Sequence, residues 1–437
     1  MRHTSGYAGI LFWTGLFSLS LSFSFGHSHQ PSLKKKPVKT APADTLLETL
    51  MHSQPAKFDS LLAHPKRYRI QIIYTQIDRD SGNTPHFTQH TYRLNPKEFF
   101  YCASLVKIPA SALSLEKLNR IHIPGLDKYS RMKIDSAYAC ESAVIYDSTS
   151  ENYFPSIAHY IKKAMLVSDN DAYNRLYEFL GQKYFNERLW EMGYTTARIT
   201  TRFLYACDTL ANRHTNPMTF YSAGGDSVYY QPGAYNPKQY SNPYGKVLIG
   251  KAYIASNGRM VRRPKDYTFA NYLSLHDINR IMISLVFPNS VPEKQRFALT
   301  GDDYTFLRKY MSMYPRESDY PHYDPKYYGD SFKKYCIYGA CRDTITNESI
   351  RIFNHVGQAH GFLADCAYIV DFENKVEFLL SAVIYVNKDG VLNDGKYETT
   401  TIGFPFLADL GQLLYEYEKT RVKKHLPDLE EFRLRKP

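Results

Sequence analysis

A serine and a lysine three residues apart, Ser104 and Lys107, interrupt an otherwise apolar run that continues through Leu113, Leu115 and Leu118. A free serine hydroxyl is a poor nucleophile and needs a base to take its proton. A lysine held among apolar side chains loses the hydration of its charge. Its pKa then falls and it can accept protons near neutrality. The run has the character of a mostly buried helix, on which residues three apart share a face. Pro109 supports a helix start here, because N–H groups of the first turn have no intrahelical partner. The pair can therefore set an amine beside a hydroxyl. The same spacing also occurs on core helices that merely expose a Ser/Lys face, so it does not define a site by itself.

Two further stretches place polar groups at the ends of expected elements. A helix over Pro155–Val167 ends at Ser168-Asp169-Asn170. A second helix starts at once, with Ala172, Leu176, Phe179 and Leu180 on one face and Gly181 as its stop. Ser, Asp and Asn between two helices are by default capping residues. Near the C-terminus, Ile350 to Gly357 reads as a strand ending in His355-Val356-Gly357. Strands over Gly361–Asp371 and Val376–Val386 follow, then an apolar helix over Phe404–Tyr417. At the other end of the chain a short helix over Thr45–Met51 precedes a strand, Tyr68–Ile77. The turn signal Asp80-Ser-Gly-Asn83 joins it to a partner at His86–Leu94. Strands at both ends with helices between them predict an α/β (α+β) fold, with one sheet built from both termini. A Tyr-rich insert is expected at about 220–347, with helices at 275–286 and 303–311.

The 437 residues suffice for a sizeable core in one large domain or two smaller ones. With 54 basic and 43 acidic side chains the net charge is +11. That charge is spread out, apart from Lys34-Lys35-Lys36 and the tail from Arg421, and no nucleic-acid signature accompanies it, so no nucleic-acid partner is expected. Association with an anionic envelope polymer is the remaining partner for such a charge. The 38 tyrosines suit a packing layer with wet hydroxyls, or an aromatic platform for a polymer. Residues 1–26 have the pattern of a secretory signal peptide, and their apolar length also permits an uncleaved anchor. Residues 27–59 read as a linker into a domain spanning 60–437. A periplasmic or secreted location follows, and makes the six cysteines candidates for disulfides, Cys336 and Cys341 being close enough to close a small loop.

The order of the three polar stretches is more specific than any one of them. Ser104-x-x-Lys107, then Ser168-Asp169-Asn170, then a strand ending in a basic-x-Gly triplet at His355–Gly357 is the motif set of serine β-lactamases and penicillin-binding proteins. Over about 68–212 and 350–417 the chain resembles the class A β-lactamase family of penicillin-recognising serine hydrolases. The resemblance implies an antiparallel sheet flanked by helices, with a helical subdomain. It implies acyl transfer in two steps without a metal or other cofactor, on a small-molecule or peptide substrate. Ser104 would be the nucleophile, Lys107 the proton acceptor and Ser168 the relay to the leaving nitrogen. Asn170 would hold the substrate amide. The N–H groups of Ser104 and of Gln358, after Gly357, would form the oxyanion hole.

Two positions depart from the family pattern. His355 and Val356 replace the usual Lys and Thr/Ser. Histidine is only fractionally charged near neutrality, and valine cannot bond a carboxylate, so another group must bind it; His360 or an arginine of the insert are the candidates. The deacylating glutamate of the E-x-x-x-N loop is replaced by Asp208, in Asp208-x-x-x-Asn212. Asp208 suits either a base with shortened reach or a loop cap. Without a base the acyl-enzyme would turn over slowly, as in a penicillin-binding peptidase. An esterase acting on envelope substrates and a non-catalytic envelope-binding protein are the other readings.

Overall fold

The computed structural model describes residues 44–434 apart from 140, 205–208, 341 and 342. The expected signal peptide, most of the expected linker, and Asp208 lie outside the described residues. The linker does not reach residue 59. Helices α1 (Leu46–His52) and α2 (Pro55–Leu62) occupy its end, and Leu47, Met51, Phe58 and Leu61 are buried. Amphipathic helices with a buried face are part of the domain core, not a tether.

Five strands form the central sheet. β1 (Gln71–Arg79) and β2 (Pro85–Tyr92) pair as a hairpin. Its turn is made by Asp80, whose Oδ1 accepts the N–H groups of Gly82 and Thr84, both at 2.9 Å. β3 (Ile350–Ala359), β4 (Phe362–Asp371) and β5 (Val376–Tyr385) form a meander. His360 and Gly361 turn β3 into β4 with φ of 55° and 84°, as a two-residue hairpin turn requires. β5 pairs with β1, so the order is β3-β4-β5-β1-β2 with every neighbour antiparallel. Both ends of the chain meet in one sheet, as expected.

Helices cover both faces of this sheet, so its C-terminal strands read as continuous apolar runs. In β5, Phe378, Leu380, Ala382 and Ile384 pack with α1, α2 and α9 (Phe404–Thr420). Leu379 and Val383 point the other way, into the larger core. That core is shared with α3 (Lys107–Ile121), α4 (Ile157–Val167), α5 (Asn170–Leu180), α6 (Gln182–Glu191), α7 (Leu275–Val286) and α8 (Gly301–Ser312).

Described residues of the expected insert pack into the core. α7 lies on β4, β1 and β5, and α8 packs against β3 and α4. Met218–Tyr221 pairs with Arg131–Ile134, and Ala252–Ile254 with Val391–Leu392. Tyr267, Tyr272, Tyr304, Tyr310, Tyr314, Tyr323 and Tyr335 are buried, which is the packing role of tyrosine. Among its described residues, the stretch 313–349 holds no long element. It passes so close to α9 that a Cβ on Gly411 would lie 2.5 Å from Ile337 N. Cys102, Cys336 and Cys366 carry free, buried thiols, so Cys336 closes no disulfide loop; Cys140, Cys207 and Cys341 lie outside the described residues. Among the described residues no helix is long and apolar enough to cross a membrane.

Candidate active site

Ser104 does not lie in α3 itself. It belongs to a 3-10 turn, Ala103–Val106, that runs into the helix at Lys107. Three residues per turn eclipse positions i and i+3, so this turn aligns the two side chains more closely than an α-helix would. Ala103 enters the turn with φ 44°, a region that costs an L-residue about 1 kcal/mol or more. The surrounding Cys102, Leu105 and Val106 are buried and hold it there.

α4 ends where Ser168 turns left-handed at φ 59°, and α5 begins at Asn170. The Asp169 side chain accepts the Ala172 N–H at 2.8 Å, so the capping role expected of this triplet falls to its middle residue. The flanking side chains are released to face Lys107, which is fully buried. Its Nζ lies 2.9 Å from Ser104 Oγ, 2.6 Å from Ser168 O, 3.0 Å from Ser168 Oγ and 2.8 Å from Asn170 Oδ1. The Phe203 ring closes over it at 5.2 Å. Burial, opposed by the Asp169 charge and reinforced by that of Lys333, holds the amine well below the usual lysine range.

β3 supplies the third side. Gly357 meets the turn before Ser104 so closely that a Cβ there would lie 2.4 Å from Cys102 O. His355, fully buried, directs Nε2 to Ser168 Oγ at 3.4 Å. Burial and the charges of Lys333, Lys107 and Lys334 hold its ring well below the usual histidine range, so it is neutral. The Gln358 side chain accepts from Tyr335 Oη at 2.8 Å.

Among the described residues, neither His360 nor an arginine takes the place of the triplet's missing cation. His360 packs against Tyr101 and Tyr267, at 5.3 and 5.6 Å, and does not line the cleft. A buried lysine beside the triplet is Lys333, whose Nζ is 3.4 Å from His355 Nδ1. Burial pushes it down to about 7, against the pull of Asp365. Sequence reasoning missed it because 313–349 has no periodicity to show which side chains turn inward. The only signal was a lysine pair, Lys333-Lys334, set between Phe332 and Tyr335.

The residues open onto a cleft of about 740 Å3, whose lining includes Ser104, Ser168, Asn170, Lys333, Val356 and Gln358. Tyr327 and Phe332 form one wall and Phe404 and Pro405 of α9 another. No carboxylate is among the described lining residues. Asn212 is buried, its Oδ1 taken by the Arg202 N–H at 2.7 Å. Among the described residues no cluster of three or more His, Cys, Asp or Glu could hold a metal ion.

The buried lysines make stability depend on pH. Lys333 and Lys117 are both pushed down to about 7 by burial, against about 10.4 in an unfolded chain. Between these values the unfolded chain carries protons that the folded one lacks, so stability rises with pH, by about 1 kcal/mol per pH unit for each lysine. Above about 8.5 the buried thiols act in the opposite sense. Cys102 and Cys366 are pushed up to about 12, so unfolded thiols ionise first. Urea unfolding is expected to show stability rising from pH 6.5 to 8.5, with a smaller slope for Lys117→Met. A flat or falling curve in wild type would refute the assignment.

The mixed α/β architecture and its antiparallel sheet are those of the β-lactamase fold. A model of the beta-lactamase enzyme family matches residues 58–304, more than half of the chain, and the chain belongs to that family. Among solved structures it is similar to a beta-lactamase from Xanthomonas campestris pv. campestris, at 13% identity and a TM-score of 0.46, over 86% of this chain and 98% of that one. It is also similar to the beta-lactamase of Streptomyces albus G, at 14% identity and a TM-score of 0.45 over the same shares. An ancestral class A beta-lactamase matches at 14% identity and a TM-score of 0.44, over 82% and 98%. No curated protein matches the chain.

Proposed function

We propose that this protein is an exported serine hydrolase that forms an acyl-enzyme on Ser104, acting on a β-lactam or a related amide or ester. The observation that carries this reading is the set of oxygens around Lys107. Two of them, Ser168 O and Asn170 Oδ1, can only accept. A neutral amine has two hydrogens and one lone pair. Its hydrogens go to those two acceptors, and the lone pair is left for a hydroxyl, Ser104 Oγ–H at 2.9 Å. Lys107 then takes the Ser104 proton as Oγ attacks the substrate carbonyl. The protonated amine returns a proton to Ser168 Oγ, and Ser168 gives its own to the leaving nitrogen. The N–H groups of Ser104 and Gln358 are assigned to the oxyanion, with Asn170 holding the substrate amide.

Release of the acyl group is less well provided. No described carboxylate lines the cleft, and Asp208 is the candidate base. This favours one second reading, a peptidase or esterase of the penicillin-binding type whose β-lactam adduct is long-lived.

A fluorescent penicillin, a chromogenic cephalosporin and a simple ester separate the readings, each applied to the chain without residues 1–26 beside Ser104→Ala. Serine-dependent turnover of the cephalosporin supports the lactamase. Stable labelling by the penicillin supports the peptidase type. Ester cleavage alone, lost in the variant, supports an esterase. Identical behaviour of wild type and Ser104→Ala on all three substrates rejects catalysis and leaves an envelope-binding role.

A further inference from the structure

We propose that Lys333 is a positioning residue that fixes the proton of His355 on Nε2, so that the imidazole donates to Ser168 Oγ and leaves the Ser168 hydroxyl proton free for the leaving group. The proposal rests on the acyl-transfer reading of the site. It concerns a residue outside the three motifs and a contact that the motifs do not imply.

The geometry is a chain of three groups. Lys333 Nζ is 3.4 Å from His355 Nδ1, and His355 Nε2 is 3.4 Å from Ser168 Oγ. A neutral imidazole has one N–H, and whichever nitrogen accepts forces the proton onto the other. An ammonium group can only donate. With Lys333 protonated, Nδ1 must accept and Nε2 must carry the hydrogen. Ser168 Oγ then receives a hydrogen bond from the ring, and its own proton is free to turn towards the substrate. The opposite tautomer would make Nε2 the acceptor and tie the Ser168 proton to the ring, away from the reaction.

Lys333 is held for this task by a buried clamp. Asn354 Nδ2 gives one hydrogen to Lys333 O at 2.5 Å and the other to Asp365 Oδ1 at 2.8 Å. Asn354 Oδ1 accepts from Lys334 Nζ at 2.8 Å, which leaves no freedom to flip the amide. Asp365 Oδ2 accepts the Cys336 N–H at 3.0 Å. Lys334 also donates to Met311 O and Ile352 O, at 2.7 and 2.6 Å. The adjacent lysines thus have different work: Lys334 ties the segment to α8 and β3, and Lys333 is left to face His355. The ionisable groups around the ring are Lys107 on the Ser168 side, and Lys333, Lys334 and Asp365 on the other. Lys333 lies down at about 7, so it is a cation below neutrality and the constraint on the tautomer is strongest there.

The test reads the tautomer directly. Protein labelled with 15N only at histidine is compared at pH 6 as wild type, Lys333→Met and Lys333→Arg, with His355→Gln assigning the His355 signals. The expected result is a protonated Nε2 and an unprotonated Nδ1 in wild type and Lys333→Arg, and a mixed or inverted ring in Lys333→Met. In parallel, the acylation rate constant at saturating penicillin should fall roughly tenfold or more in Lys333→Met, with recovery in Lys333→Arg and with the penicillin concentration for half-saturation little changed. A proton on Nδ1 in wild type would overturn the proposal. So would a Lys333→Met protein with the wild-type tautomer. A loss confined to half-saturation would make Lys333 a direct substrate contact and also overturn it. If wild type reacts with no substrate, the acyl-transfer reading fails, and the tautomer measurement still decides the role of Lys333.

Discussion

Lys107→Met is expected to slow acylation by a fluorescent penicillin about a thousandfold, and Ser104→Ala to abolish it. A thousandfold loss corresponds to about 4 kcal/mol of transition-state stabilisation, within the usual range for a positioned general base. Methionine matches the length and apolar stem of lysine, so the cleft keeps its shape while the lone pair is lost. The substitution also leaves Ser168 O and Asn170 Oδ1 without their donor, at a cost of about 1–3 kcal/mol. It relieves the burial of an amine in return, so a folded protein is expected. The pH profile adds a second reading. The base works only when neutral, so acylation by wild type falls as pH drops through the Lys107 pKa. Burial holds that pKa well below the usual lysine range, which extends activity to lower pH than an exposed lysine would allow. Stopped-flow labelling from pH 5 to 9 measures both effects. Lys107→Met acylating within tenfold of wild type, with the same acid limb, would remove Lys107 from the proton path.

The second large effect is expected from Gly357→Ala. The new methyl group would lie 2.4 Å from Cys102 O, 3.3 Å from Cys102 C and 3.4 Å from Leu105 Cγ. The first distance cannot be met without movement of one backbone from the other, because neither partner is the flexible end of a side chain. β3 and the turn before Ser104 must separate, and the nucleophile then shifts relative to His355 and Gln358. Misplacement by about 1 Å costs on the order of a hundredfold in rate. Overpacking itself costs about 1–3 kcal/mol of stability. Acylation is therefore expected to fall at least about a hundredfold, with a lower urea midpoint. Gly301→Ala is the control, since a Cβ there meets nothing within 4 Å. Full acylation activity in Gly357→Ala would show that the close approach does not position the serine.

Much of the site is legible in the chain because its parts are local. Ser104 and Lys107 are one turn apart, and any tight helical turn brings them together. Ser168, Asp169 and Asn170 lie between two apolar-periodic helices, so a cap was expected; that one residue caps while two face the lysine follows from the left-handed Ser168. The two ends of the sheet announce themselves as runs of β-branched and aromatic residues. Within the expected insert, helices at 275–286 and 303–311 are legible from their periodicity and are found as α7 and α8. Composition there shows only that tyrosines are frequent, while the packing joins both helices to the core.

The sequence alone therefore determined the class of fold, the Ser104/Lys107 pair, the capping junction and the strand that carries His355-Val356-Gly357, because each rests on neighbours within a few residues. Only the tertiary structure decided that Lys333 lies against His355. Lys333 Nζ lies against His355, and its backbone is held by Asn354, itself bonded to Asp365; these residues lie on two adjacent strands and far along the chain from it. Its charge state is set by the removal of water from all sides. Periodicity can place a residue on the face of its own element, but it carries no information about how deeply an irregular segment is covered by the rest of the chain. The turn at Ser104 and Lys107 is thus written in its own residues, and the placing of His355 and Lys333 beside it is written in contacts between segments.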